Sequence, residues 1–208
     1  MISRLRLHTS LLRSQAPTFP TTTRNTRTIE TATMTTPTIS GDASLGPVFF
    51  WREFEEPYGF MSQWYDSTFE VDGVTYLSTE MWMMIQKAKL FGDEEIAKQM
   101  MQTSIPAEHQ ALGRKAKGFS RPKWDEHKSR VVEEGNWHKF TKTKGRPELA
   151  QLLLDTGDRE LVEASPTDRI WGIGFAAANA LENRSKWGEN RLGEALMSVR
   201  ARLQQASK

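Results

Sequence analysis

Cysteine is absent from the 208 residues, which excludes disulfides, thiolate metal sites and cysteine nucleophiles. Long apolar runs are missing too. None approaches the roughly 18 residues a membrane-crossing helix needs, so no membrane span and no membrane partner are expected. Histidine is scarce, and His8, His109, His127 and His138 are too scattered to form a metal-ligand spacing. No metal site is assigned, although carboxylate ligation stays open on sequence grounds. Acidic residues are nearly missing from the first forty positions, where Glu30 stands alone against Arg4, Arg6, Arg13, Arg24 and Arg27. The other residues carry 23 basic against 25 acidic side chains. That near-neutral remainder gives no support for binding a polyanion by charge alone.

The acid-poor segment is also rich in Ser and Thr, and residues 1–44 read as a disordered leader. Ile2, Leu5, Leu7, Leu11 and Leu12 can share part of a helical face between the arginines, as in a mitochondrial transit peptide. Met34 offers an internal start, so the expected location is mitochondrial or cytoplasmic. From residue 45 to 206 the pattern becomes that of one globular domain. A chain with 38% hydrophobic and 10% aromatic residues can bury a single core.

The domain is organised around Leu77 to Phe91. Met81, Trp82, Met84, Ile85 and Leu90 load this stretch too heavily for a solvent helix, so it belongs in the core. Ser78 or Thr79 supplies the N-cap, and Gly92-Asp93 ends the helix and starts the next. Glu80 and Lys87 are seven residues apart, which puts them on one face about 20° from each other. Two readings follow. In one, Glu80 complements the helix N-terminus while Lys87 snorkels to water. In the other, a carboxylate and an amine of lowered pKa line one groove.

Around this helix the spacing predicts a first strand at Val48 to Trp51 and a hairpin over Thr68 to Tyr76, turning at Asp72-Gly73. Helices are expected from Asp93 to Met101, Pro106 to Lys117, Trp124 to Phe140 and Pro147 to Leu154. Leu161 to Ala164 reads as a late strand. Asn179 to Lys186 reads as a loop, and Asn190 as the cap of a last helix with Leu192, Leu196 and Val199 buried. Arg114, Lys115 and Lys117 read as a solvated face able to attract phosphate. Trp124 and Asp125 read as structural.

Several separated motifs share one resemblance. Gly59-Phe60-Met61-Ser62-Gln63-Trp64-Tyr65, Gly73-Val74-Thr75-Tyr76 and Ser78-Thr79-Glu80 through Lys87-Ala88 resemble the NADAR family, also called YbiA-like. Ser165-Pro166-Thr167-Asp168-Arg169-Ile170-Trp171-Gly172-Ile173-Gly174 and Gly188 to Met197 look like that family's two C-terminal signatures. The likeness spans about residues 47 to 204. It implies an α+β, mainly helical single domain with a small β-sheet. It further implies an N-glycosidase, with no cofactor, that cuts the C–N bond between a phosphorylated ribose and an exocyclic amine. Its partner would be a small-molecule ribosyl phosphate of the riboflavin pathway or an ADP-ribosylated nucleic acid, modified on guanine.

The catalytic candidates are Glu80, Lys87 and Asp168. In one route Lys87 exchanges with the departing amine to form a Schiff base, Glu80 moves protons, and Asp168 orients the ribose. In the other, water attacks an oxocarbenium-like centre with Glu80 or Asp168 as base. Candidate substrate-binding residues are Ser62, Gln63, Trp64, Trp171, Gly172, Asn190 and Arg191, the last as a phosphate receptor at a helix N-terminus. Met81, Met84 and Gln63 depart from the family's common pattern, which changes the pocket wall. A module that binds ADP-ribose without cleaving it is the alternative.

Overall fold

The structure, a computed structural model, describes residues 39–206. The expected leader, with its transit peptide and Met34, falls almost wholly outside the described residues. Seven α-helices and four short strands are seen among the described residues: β1 (Val48–Phe50), β2 (Phe69–Val71), β3 (Val74–Tyr76), α1 (Thr79–Leu90), α2 (Glu94–Met100), α3 (Pro106–Arg114), α4 (Arg121–Lys142), α5 (Glu148–Leu154), β4 (Leu161–Glu163), α6 (Ala177–Ala180) and α7 (Arg191–Ala206). The architecture is mainly helical α+β. The strands form two separate pairs, with β2 and β3 antiparallel across the Asp72-Gly73 turn. There Asp72 (φ 50°) and Gly73 (φ 77°) take the positive φ that such a two-residue turn requires.

α1 forms where the sequence places it. The Ser78 hydroxyl accepts from the Met81 N–H (3.2 Å), Glu80 sits in the first turn, and Lys87 and Lys89 occupy the last. Met81, Trp82, Met83, Met84, Ile85 and Ala88 are all buried, so nearly the whole circumference meets other elements. α2, α3 and α4 pack around it. At Gly135 on α4 a Cβ would stand 2.5 Å from Trp82 Cδ1, so only glycine lets the two helices come this close. The Trp82 indole N–H then donates to the Val131 carbonyl (2.9 Å).

β1 and β4 run parallel, with Val48 opposite Leu161 and Phe50 opposite Glu163. Both strands therefore end on the same side. The segments leaving them, Trp51 to Phe54 and Ala164 to Trp171, face the Glu80-to-Lys87 side of α1 across a cavity. Carboxyl ends of parallel strands are a common place for ligands, because the chain must turn away there and leaves a crevice.

Four expectations need correction, one being the end of α3, which stops at Arg114 rather than Lys117. The loop at Asn179 to Lys186 is instead the end of α6 and a 3-10 turn from Leu181 to Lys186, closed when the Trp187 indole donates to the Ala180 carbonyl (2.8 Å). α4 starts three residues earlier than expected, with Pro122 in its first turn, where a missing N–H costs nothing. Asn190 stands directly before α7, but its side chain does not cap that helix. Its Oδ1 accepts from the Glu163 N–H (3.0 Å) and its Nδ2 donates to the Leu161 carbonyl (2.9 Å), tying α7 to the free edge of β4.

Candidate active site

The cavity holds about 740 Å³, within the range of small-molecule sites. Four of the seven tryptophans, Trp51, Trp64, Trp124 and Trp171, form its walls. Ser62, Gln63, Trp64, Glu80, Lys87, Asp168 and Trp171 all line it, although they come from three separate parts of the chain. Gly172, Asn190 and Arg191 do not. A Cβ on Gly172 would lie 2.7 Å from the Glu163 carbonyl, so this glycine allows the loop to fold back on β4 rather than admitting a ligand. The Arg191 guanidinium is engaged by Glu189 and by the Ser129 hydroxyl (2.8 Å), away from the cavity.

Glu80 is 3% exposed, and one carboxylate oxygen, Oε1, has no hydrogen-bond partner in the protein. Burial pushes its pKa up to about 7, with Asp168 adding to the rise while the Trp64 side chain, Arg114 and Lys87 oppose it. Lys87 is half-buried. Its Nζ donates to the Gly113 carbonyl (2.9 Å) and lies 4.5 Å from the centre of the Phe119 ring. Burial lowers its pKa, against the pull of Glu80 and with help from Arg114. Burial thus draws both the acid and the amine toward their neutral forms, one able to give a proton and the other to accept one.

Asp168 is held by its own turn. Its Oδ1 accepts from the Ile170 N–H (2.7 Å) and the Trp171 N–H (2.9 Å), which fixes the carboxylate at the cavity wall. Opposite it, the Ser62-Gln63 segment is pinned from α4. Lys139 Nζ donates to the Ser62 carbonyl (2.8 Å), and Asn136 Nδ2 donates to Gln63 Oε1 (3.0 Å). The Gln63 carbonyl in turn accepts from the Glu80 N–H (3.0 Å) and the Thr79 hydroxyl (3.1 Å). The start of α1 and the loop before it therefore form one hydrogen-bonded unit around Glu80.

The structure adds residues that the sequence reading missed or set aside. Arg52 and Glu53 come from the end of β1, Gln110 and Arg114 from α3, and Glu163, Ser165 and Thr167 from the end of β4. Trp124, read as structural, is a wall residue. Asp125 beside it is tied to Lys128 (2.7 Å) and does not line the cavity. Glu163 had a legible signal: an acid directly after the buried pair Leu161-Val162, five residues before Asp168. Arg114 is legible only as part of a basic face able to attract phosphate, and Arg52 carries no signal, because strand pairing brings it to the cavity. Among the described residues no group of three or more His, Asp or Glu side chains is arranged to hold a metal ion.

A two-ladder α+β fold with a tryptophan-walled cavity, a lysine of lowered pKa and buried carboxylates defines a protein that handles a small polar ligand inside a shielded site. The chain belongs to the NADAR family, whose domain model matches residues 49–204. It is 42% identical over 151 residues to an N-glycosidase of Acanthamoeba polyphaga mimivirus, covering 69% of this chain and 87% of that one. A riboflavin biosynthesis protein of Vibrio vulnificus is 30% identical over 159 residues, which are 76% of this chain but 39% of that longer protein. The solved structure of the E. coli protein YbiA superimposes with a TM-score of 0.64 at 27% identity, covering 83% of this chain and 90% of YbiA.

Proposed function

We propose that this N-glycosidase, a hydrolase of N-glycosyl compounds, cuts the bond between C1 of a phosphorylated ribose and an exocyclic amine. The observation that carries the reading is Lys87. It is a half-buried amine of lowered pKa, in the same cavity as buried Glu80 and turn-held Asp168. An N-ribosyl amine opens its sugar ring when the nitrogen lone pair forms a C1=N bond and the ring oxygen takes a proton. Neutral Lys87 adds to C1, and the original amine leaves with the C–N bonding pair and a proton. Water then cleaves the lysine Schiff base and restores the amine.

Glu80 exchanges protons with Lys87, and Asp168 holds the ribose hydroxyls. The tryptophan walls suit a base and a sugar face. Arg52 and Arg114 at the cavity hold the phosphate, a role for which the sequence offered both Arg114 and Arg191. The riboflavin name of the Vibrio relative supports a ribosylamino-pyrimidine phosphate as substrate. ADP-ribosylated guanine shares the same ribosyl-amine linkage and is the second substrate class.

The test incubates the full chain with a ribosylamino-pyrimidine phosphate and, separately, with guanine-ADP-ribosylated DNA, and follows base release by mass spectrometry. Release from at least one, lost in Lys87→Ala, is the expected result. Tight ADP-ribose binding by calorimetry with both substrates left intact would replace the reading with that of a binding module.

A further inference from the structure

Four carboxylates meet this cavity, those of Glu53, Glu80, Glu163 and Asp168, and their surroundings differ. Glu163 closes β4, and its backbone is fastened on every side. Its N–H donates to Asn190 Oδ1 (3.0 Å), its carbonyl accepts from the Ile173 N–H (3.0 Å), and it lies opposite Phe50 in the parallel pair. The carboxyl group therefore enters the cavity from a rigid base. Its Oε2 is shielded from solvent and has no hydrogen-bond partner in the protein. An ionised carboxylate left so is costly, whereas a protonated one carries an O–H donor for a ligand.

The charges that act on Glu163 are both negative, Asp168 from the following turn and Glu80 from α1. Those that act on Glu80 include two cations, Arg114 from α3 and Lys87 from its own helix, together with the Trp64 side chain. Arg52 and Glu53 beyond β1 line the same cavity. The Arg191 guanidinium on α7 is engaged elsewhere by Glu189. Burial, Asp168 and Glu80 together push the Glu163 carboxyl up to about 8 with no cation opposing them, whereas Arg114 and Lys87 hold back the rise at Glu80. Two acids whose environments separate their protonation divide the acid and base roles between them.

We propose that Glu163 is the proton donor to the departing amine, which leaves Glu80 as the base that serves Lys87. The assignment rests on the Lys87 route given above. As the C1–N bond breaks, its electron pair goes to the exocyclic nitrogen, and the Glu163 carboxyl supplies the proton that makes the leaving group a neutral amine. In the second half, water adds to C1 of the Lys87 Schiff base and gives a proton back to Glu163. Each turnover consumes one water and leaves both acids as they began.

Two measurements on the full chain test this. In the first, pH profiles of base release are taken for the native chain, Glu163→Gln and Glu163→Asp, with thermal melts to confirm that each variant folds. Glu163→Gln is expected to lose about 10²-fold or more in kcat, the size of a general-acid contribution. Its KM should stay within about threefold, and the fall in rate above a pH of about 8 should vanish. Glu163→Asp should keep that limb at reduced rate. A Glu163→Gln chain that keeps its rate within about threefold, or still shows the alkaline limb, overturns the assignment while leaving the N-glycosidase reading intact.

The second measurement needs no turnover. Carbon-13 NMR of glutamate-labelled protein should show a carboxyl titrating near 8 that is missing in Glu163→Gln. A Glu163 carboxyl already ionised at neutral pH overturns the proposal, whichever substrate is cleaved.

Discussion

Lys139→Met should make the fold more stable and the site worse. The Lys139 amine is 0% exposed, with the Tyr65 and Phe140 ring centres 5.4 and 5.5 Å away. The hydrogen bond seen from its Nζ goes to the uncharged Ser62 carbonyl. Burial lowers its pKa from 10.5 to about 7. Between those two values the unfolded chain holds a proton on this amine that the native chain does not. Unfolding takes up that proton, so native stability rises as pH increases across the window. At about 1.4 kcal/mol per pH unit, keeping the lysine costs about 5 kcal/mol at neutral pH relative to pH above 10.5.

Methionine removes that cost and loses one hydrogen bond worth about 1 kcal/mol. The variant should therefore be about 3–4 kcal/mol more stable near neutral pH. That gain should shrink by about 3 kcal/mol when both proteins are compared at a pH of about 9.5. Urea unfolding followed by tryptophan fluorescence measures the difference, and groups common to both proteins cancel in it. Base release should slow, because the Ser62-Gln63 segment beside Glu80 loses one of its two ties to α4. A variant less stable than the native chain by the same amount at both pH values would refute the reasoning.

Two further outcomes follow from packing. Asn190→Ala leaves the Glu163 N–H and the Leu161 carbonyl unpaired and puts alanine at φ 51°, so it should cost about 3–4 kcal/mol. Asn190→Gly should recover only the backbone share in chemical denaturation, and a loss below about 1 kcal/mol for alanine would contradict the tie to β4. Gly135→Ala places a methyl 2.5 Å from Trp82 Cδ1 and should cost about 1–3 kcal/mol with a shift in tryptophan emission. An unchanged emission and melting temperature would show that α4 yields there freely.

Much of the fold was legible because local signals and burial agree. The Ser78 cap, the apolar load of α1 and the Asp72-Gly73 turn each specify their element without help from distant residues. The Glu80–Lys87 face was legible for the same reason, since helical pitch alone sets it. Asp168 and Trp171 came from a motif whose turn is built of near neighbours. What the sequence could not supply is held by distant contacts. Asn190 looked like a cap because it precedes a helix, but β4 offered its side chain two backbone partners. Arg191 looked free for phosphate until Glu189 and Ser129 took its guanidinium. Glu163, Arg52 and Arg114 reach the cavity only through the parallel pairing of β1 with β4 and the packing of α3 on α1. The 3-10 turn at Leu181 to Lys186 is polar and carries no apolar period, so its order comes from Trp187 closing back on Ala180.

The central claim is that Lys87 bonds to the sugar carbon during turnover. Borohydride added during cleavage, followed by peptide mass spectrometry, tests it directly. The account predicts a reduced ribosyl adduct on the peptide holding Lys87, formed only when substrate and reductant are present together. Base release at full rate with Lys87 unmodified would contradict it, and would transfer the chemistry to direct attack by water.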